Sequence, residues 1–312
     1  MSRVSVVAGK ERIETVTEAL NKIREDIQPG RINDKSVFIK PNLVSVSRLL
    51  AVTHVDAVRA VIDFIQDFNP ARIIIAEGTS DIFKAYENFG YDALAREYDN
   101  IQLLDVNNDD LGEIQLLTMT GEERAVRFSK TALDADFTIS VARAKTHDHT
   151  KCTLVIKNMQ GCIPRKEQVW AHGDSREYHE GPIPMSYKSN CILSRNIVTI
   201  AQKVKLDLGI IDGIEAMEGN GPGGGDPVDL GVVVASADVV AAEAVMAEIM
   251  GFNHREVAHI YYADKIGFGT GKLENIEVLG ERIEDVRKPV KPHRNYYESQ
   301  VDWRKYAENI LT

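Results

Sequence analysis

The sequence predicts an α/β fold, with a mainly parallel sheet flanked by helices. Three observations carry this. Short β-branched runs recur along the chain, helical patterns lie between them, and 312 residues at 44% hydrophobic suffice for a substantial core. Strand-like runs are "VSVVAG" from Val4, "SVFIK" from Ser36, "RIIIAEG" from Arg72, "IQLLDV" from Ile101, "DFTISVARAK" from Asp136, "LDLGIID" from Leu206, "GVVVAS" from Gly231 and "IEVLGE" from Ile276. The clearest helical pattern spans residues 55–68, where Val55, Val58, Ile62 and Ile65 recur at spacings of three and four. A second, residues 237–250, is apolar nearly all round and is expected to be buried. "NNDDLGEIQ" near Asn107 reads as a turn into a hairpin, and "REYHEGPIPMS" from Arg176 as a surface loop. Residues 1–285 are expected to form one α/β domain, or two lobes of about 1–145 and 146–285 with a cleft between them. After Arg287 the Pro-punctuated, basic and aromatic "KPVKPHRNYYESQVDW" marks residues 286–312 as a tail that packs on the domain or on a partner subunit.

Composition removes several function classes. Net charge is 37 minus 47, or -10, with no block of Lys and Arg, which argues against nucleic acid as a partner. The opening "MSRVSVVAGKERIE" lacks the apolar core of a signal peptide, and no run approaches the roughly 18 apolar residues of a membrane span. No membrane partner and a cytoplasmic location are therefore expected. Cys152, Cys162 and Cys191 form no CxxC pair, so neither a disulfide framework nor a ferredoxin-type cluster is expected within this chain.

In parallel sheets ligands bind beyond the carboxyl ends of the strands, which directs attention to four loops. In "IKPNLV" Lys40 ends a strand and Asn42 offers a donor and an acceptor; the pair either holds an anionic substrate or forms a plain turn. In "AEGTSD" Thr79, Ser80 or Asp81 can cap the next helix, whose N-terminus attracts anions. "DGIEAMEGNGPGGGDP" has five glycines between Gly219 and Gly225, so backbone at Gly221 can approach a ligand; it lacks a Walker ending, and its carboxylates repel phosphate. Asp212, read as the end of the strand "LGIID", is its best candidate. The fourth loop is "KTHDHTKCTLVIKNMQG". His147 and His149 alternate and Cys152 follows three residues on, a spacing that can ligate zinc or iron. Lys157, with Asn158 beside it, lies in an apolar run on an expected helix. There an amine either loses proton affinity and becomes a nucleophile or base, or snorkels to solvent. His172 can return to the same cleft.

Together "FIKPNLV", "IIIAEG", "KTHDHTKCTLVIKNMQGCIP" and "DGIEAMEGNGPGGGDPVDLGVVVASADVVAAEAV" resemble, in order over about residues 36–250, the family known as domain-of-unknown-function family 362. Its longer members are often joined to ferredoxin-type iron–sulfur modules, which implies a ferredoxin-like redox partner for a chain without them. A second, more distant resemblance is to lactate racemases of the nickel-pincer type. His147, Lys157 and His172, ten and fifteen residues apart, match the spacing of that family's histidine, lysine and second histidine. The resemblance implies a nickel cofactor tethered to the lysine, a later histidine on the metal and another as acid/base. Where that family reads Gly-Thr-His-Arg, this chain reads Gly78-Thr79-Ser80-Asp81, so one acid/base histidine has no counterpart. The arginine of its substrate loop is also missing, with Lys40 near the matching place.

These readings leave three hypotheses. The first is an enzyme moving a proton or hydride at carbon on a small anionic carboxylate or hydroxy acid. In it Lys157, His147 and His172 are catalytic, and Lys40, Asn42, Thr79, Ser80, Asn158, Asp212 and Gly221 bind substrate. The second is a redox protein in which His149 and Cys152, with His147, hold a divalent metal such as Fe, Zn or Ni. The third is a non-catalytic module that grips an anionic metabolite. A homo-oligomer is compatible with each.

Overall fold

In the computed structural model of the protein, which describes residues 1–174 and 185–311, each of the eight expected strand runs forms a strand of one main sheet. They are β1 (Ser2–Ala8), β2 (Ser36–Pro41), β3 (Arg72–Glu77), β4 (Ile101–Asp105), β7 (Phe137–His147), β9 (Leu206–Glu218), β11 (Val232–Ser236) and β12 (Ile276–Gly280). β5 (Leu111–Leu117) and β6 (Glu123–Ser129) make a separate hairpin, while β8 (Lys151–Thr153) pairs with β7 and β10 (Asp226–Val228) with β9. The spatial order is β12-β1-β11-β9-β7-β2-β3-β4. β11 runs against β1 and β9, and the other neighbours on this path are parallel. The fold is therefore α/β with a mainly parallel sheet, as the sequence predicts.

Strand residues alternate between two apolar layers, which is why the runs read as apolar throughout. Val37 and Ile39 of β2 face a layer with α1 (Arg12–Lys22) and α2 (Val55–Gln66), and Phe38 faces the opposite layer with α7 (Met185–Lys203) and α8 (Val239–Ile249). The other α-helices among the described residues are α3 (Ile82–Asn88), α4 (Tyr91–Glu97), α5 (Lys130–Leu133), α6 (Val155–Asn158) and α9 (Ala258–Lys265), with two further short ones, Ile283–Val286 and Trp303–Ala307, near the C-terminus. α2 buries Val58, Val61, Ile62 and Ile65, and its N-terminus is capped by His54, whose ring accepts from Asp56 N. α8 is buried almost all round, and Asp238 caps it by accepting from Val240 N and Ala241 N. No described helix is long and apolar enough to cross a membrane.

Two expectations change. The lobe boundary at residue 145 falls inside β7, which pairs with β2 on one side and β9 on the other, so one sheet unites both halves. Asp212 does not end its strand, because β9 runs on to Glu218. The tail lies along its own chain, with Lys288 N donating to Ile249 O (2.8 Å) and Val290 N to Met250 O (3.0 Å). Trp303 is buried, and its indole N–H donates to Glu256 O (2.9 Å). The loop expected at "REYHEGPIPMS" lies outside the described residues apart from Met185 and Ser186, which begin α7.

Candidate functional site

β2, β3, β7 and β9 run the same way and deliver Pro41, Glu77, His147 and Glu218 to one end of the sheet. At this end β7 turns over residues 148–150 into β8, and α6 follows. The turn rotates His147 so that its Nδ1 accepts from His149 N (3.0 Å) and Thr150 N (3.3 Å). Asp148 Oδ1 lies 3.1 Å from the same nitrogen and 2.9 Å from His149 Nδ1. Backbone fixes the amide hydrogens whereas a carboxylate can swing, so the amides set the tautomer: Nδ1 accepts, and the ring proton sits on Nε2.

α6 is tied to the strand ends by Asn158, whose side chain donates to Lys40 O (2.7 Å) and Ser140 Oγ (3.0 Å) and accepts from Asn42 Nδ2 (3.1 Å). The fully buried Glu243 accepts from Ile156 N (2.6 Å) at the head of α6 and meets buried His259 Nε2 at 2.5 Å. These bonds hold Lys157 facing a cavity of about 280 Å³. It is lined by His147, Asp148, His149 and His172, by Asn42, Glu77, Thr79, Asn158 and Gln160, and by Arg165, Gln168 and Pro222, with Val44 and Gly161 among them. His172 arrives at the end of a 3₁₀ segment, Arg165–His172, and its ring meets that of His149 edge-on at 5.2 Å between centroids. Lys157 Nζ donates to Gln160 Oε1.

Burial favours the neutral forms of the lysine and of the two imidazoles. Burial pulls the Lys157 amine down to about 8, with Lys40 adding to the effect and Asp148 and Glu77 opposing it. His172 is pulled to about 3 by burial, then by Lys157 and His149, and His147 falls well below the imidazole range for the same first two reasons. Both rings are therefore neutral at pH 7. Burial pushes Asp148 upward, but His149 and His147 outweigh it and hold the carboxyl below its usual range.

Lys145, which the sequence reading passed over, is fully buried and donates to Asn42 Oδ1 (3.0 Å) and Ala51 O (2.8 Å). Burial, then Arg143 and Lys157, lower its amine from 10.5 to about 7. Between these values the unfolded chain binds a proton that the folded chain does not, so this residue makes stability rise with pH from about 7. Above about 9 the buried thiols of Cys162 and Cys191, both pushed to about 12, act in the opposite sense. Lys145→Met is thus expected to flatten the rise of the urea midpoint between pH 7 and 9, and an unchanged rise would show the amine to be protonated in the fold.

Several expected site residues stand elsewhere. Lys40 is fully buried, and its Nζ donates to Glu77 Oε2 (2.7 Å) and Pro41 O (2.6 Å), so it cannot grip a substrate. Ser80 is exposed and is not among the cavity-lining residues, whereas Glu77 and Thr79 of that segment are. Asp212 is buried in mid-strand, accepting from Arg12 Nε (2.7 Å), and is not among the cavity-lining residues. Gly221 packs against Thr146, where a Cβ would meet the carbonyl oxygen at 2.0 Å; the next residue, Pro222, reaches the cavity. Cys152 stands opposite Thr146 in the β7/β8 pair and so points away from the face of His147, into the apolar core. Its thiol is pushed far up by burial.

The metal reading weakens accordingly. Among the described residues, His147, Asp148 and His149 bring three donor atoms within 4.8 Å of one another. A cation at His147 Nε2 would displace that ring proton to Nδ1, against two amide donors. The set of His147, His149 and Cys152 therefore does not fit a resident zinc or iron. The residues that sequence reasoning missed are Glu77, Asp148, Gln160, Arg165 and Gln168. The opposite charges of Lys40 and Glu77 at two strand ends were the one available signal.

A family model described as a domain of unknown function (DUF362) matches residues 37–248. The thylakoid-associated protein sll1697 of Synechocystis sp. is 28% identical over 268 residues, covering 84% of this chain and 76% of its own. Among solved structures, the lactate racemase apoprotein from Thermoanaerobacterium thermosaccharolyticum is similar over 78% of this chain, with a TM-score of 0.50 and 16% identity. This chain spans 57% of that protein's length, and the likeness is one of fold.

Proposed function

The chain belongs to the DUF362 family, a domain of unknown function, so its activity has to be read from its own cavity. From that cavity we propose an enzyme that moves a hydrogen at carbon on a small carboxylate, a 2-hydroxy acid in the first instance. The observation that carries the proposal is the convergence of half-buried Lys157 with two neutral imidazoles, His147 and His172, on one small cavity. In its neutral form Lys157 takes the proton from the carbon beside the carboxylate, leaving an enolate. His147 Nε2–H donates to the oxygen on which that charge develops. Return of the proton from Lys157, directly or relayed across His172, whose ring takes a proton on one nitrogen as it gives one from the other, restores the acid and the neutral amine without a second substrate.

A second reading rests on the same amine. Lys157 Nζ faces the cavity with Gln160 as its bonded partner, which fits a covalently tethered organic group, and such a group would supply an acceptor for hydride. Intact mass of protein purified from its native host checks this, and an unmodified mass removes it.

The proton reading is tested by incubating natively purified protein with lactate, glycolate and malate in D2O. Loss of the α-proton NMR signal from at least one acid is expected. No exchange with any of the three would sink the proposal.

A further inference from the structure

We infer that Arg165 is the carboxylate-binding residue of this cavity; the inference deepens the proposed function and rests on it. A small carboxylate needs a cation that is reachable, unpaired and separate from the group doing the chemistry. Lys40 fails the first two requirements, being fully buried and bonded to Glu77. Its amine lies behind Gly161, where an added Cβ would come within 2.7 Å of it. The lining histidines His147 and His172 are neutral, and Lys157 supplies the proton chemistry.

Arg165 meets all three requirements. Arg165 lines the cavity and is exposed, and its guanidinium forms no ion pair with any described residue. Arg12, Arg24, Arg59, Arg96 and Arg127 by contrast all pair with carboxylates. The base of Arg165 is fixed while its head stays available. Its backbone N–H donates to Asn107 Oδ1 (2.8 Å), and NH1 donates to Gln168 Oε1 (3.0 Å). Gln168 is itself anchored, since its Nε2 donates to Ile163 O (3.1 Å) and Gly78 O (3.3 Å). One bond to an anchored amide aims the planar fork without neutralising it, which leaves the remaining N–H groups for a bidentate carboxylate. The residue sits one position after Pro164, at the start of the 3₁₀ segment that ends in His172, so one short element carries the carboxylate grip and one of the imidazoles.

The test compares lactate with lactamide, its uncharged isostere, by isothermal titration to wild type, R165K and R165Q. Wild type should bind lactate about ten- to a hundredfold tighter than lactamide, the range expected of charged hydrogen bonds. R165Q should lose that preference with its melting temperature unchanged, because the side chain is exposed. R165K should keep part of it, having the charge without the fork. An R165Q protein that still prefers lactate as strongly as wild type overturns the assignment of Arg165 while leaving the proposed function standing. Equal binding of both ligands by wild type, or binding of neither, overturns both.

Discussion

A Lys40→Met protein should unfold with about 3–5 kcal/mol less free energy than wild type, read from the urea midpoint at constant slope. The size follows from burial. Lys40 is inaccessible and Glu77 nearly so, and their 2.7 Å contact is the one ion pair of either among the described residues. Without the amine, Glu77 keeps only the amides of Leu43 (3.0 Å) and Gly78 (2.8 Å) against the desolvation of a full charge. The reverse variant, Glu77→Gln, leaves an ammonium facing Pro41 O, and a comparable loss is expected. The double variant Lys40→Met/Glu77→Gln removes both charges and should recover most of the lost stability, since replacing an entire buried pair is far less costly than breaking it. Losses under about 1 kcal/mol in both single variants would mean that water reaches the pair. The pair also braces the cavity floor, because Gly161 packs directly on it.

Removing the amine from the cavity gives the second large effect. Lys157→Met should lower the rate of α-hydrogen exchange about 10²- to 10⁴-fold, the span usual for a positioned acid or base. Lys157→Arg should fare no better, because a guanidinium cannot shed its proton to act as base. The wild-type rate should rise with pH through about 8 and then level, since burial brings the amine there and only its neutral form accepts a proton. His172→Gln should leave that limb in place, as the limb belongs to Lys157. A Lys157→Met protein that is folded and as active as wild type would remove the residue from the chemistry.

How far the sequence discloses this molecule depends on the range of the interaction. Eight of the ten main-sheet strands are local apolar runs and so are legible, whereas the three-residue β8 and β10 are not, and α2 is visible from its spacing. Asp212 misleads because "IIDG" has the residues of a turn, while pairing with β11 through Gly213 and with β10 from Ala216 carries β9 straight through it. Its partner Arg12 lies 200 residues away, a distance over which no local pattern speaks. Lys40 misleads for a related reason: a lysine at a strand end looks solvated until the neighbouring strand ends in Glu77. His147, His149 and Lys157 were legible because they fall within one short run of chain, the β7–β8 hairpin and the α6 turn that follows it. Arg165 was not, since nothing in "CIPRKEQ" distinguishes a guanidinium over a cavity from one in solvent.

The reversed direction of β11 has a consequence for how such a protein diversifies. Because β9 and β11 are antiparallel, the connection between them never leaves the cavity end of the sheet and needs no crossover helix. Thr146 Oγ1 pins its base by donating to Gly219 O (2.9 Å), while at Gly223 nothing lies within 4 Å of an added Cβ. Residues inserted there leave every strand register intact, at the small entropic penalty of a longer loop and at the expense of the Arg48 bond to Gly223 O (2.7 Å). One stretch of chain beside Pro222 can thus drift in length and composition while the cavity floor stays fixed. Relatives that share this floor are expected to differ in substrate chiefly through that interchangeable rim.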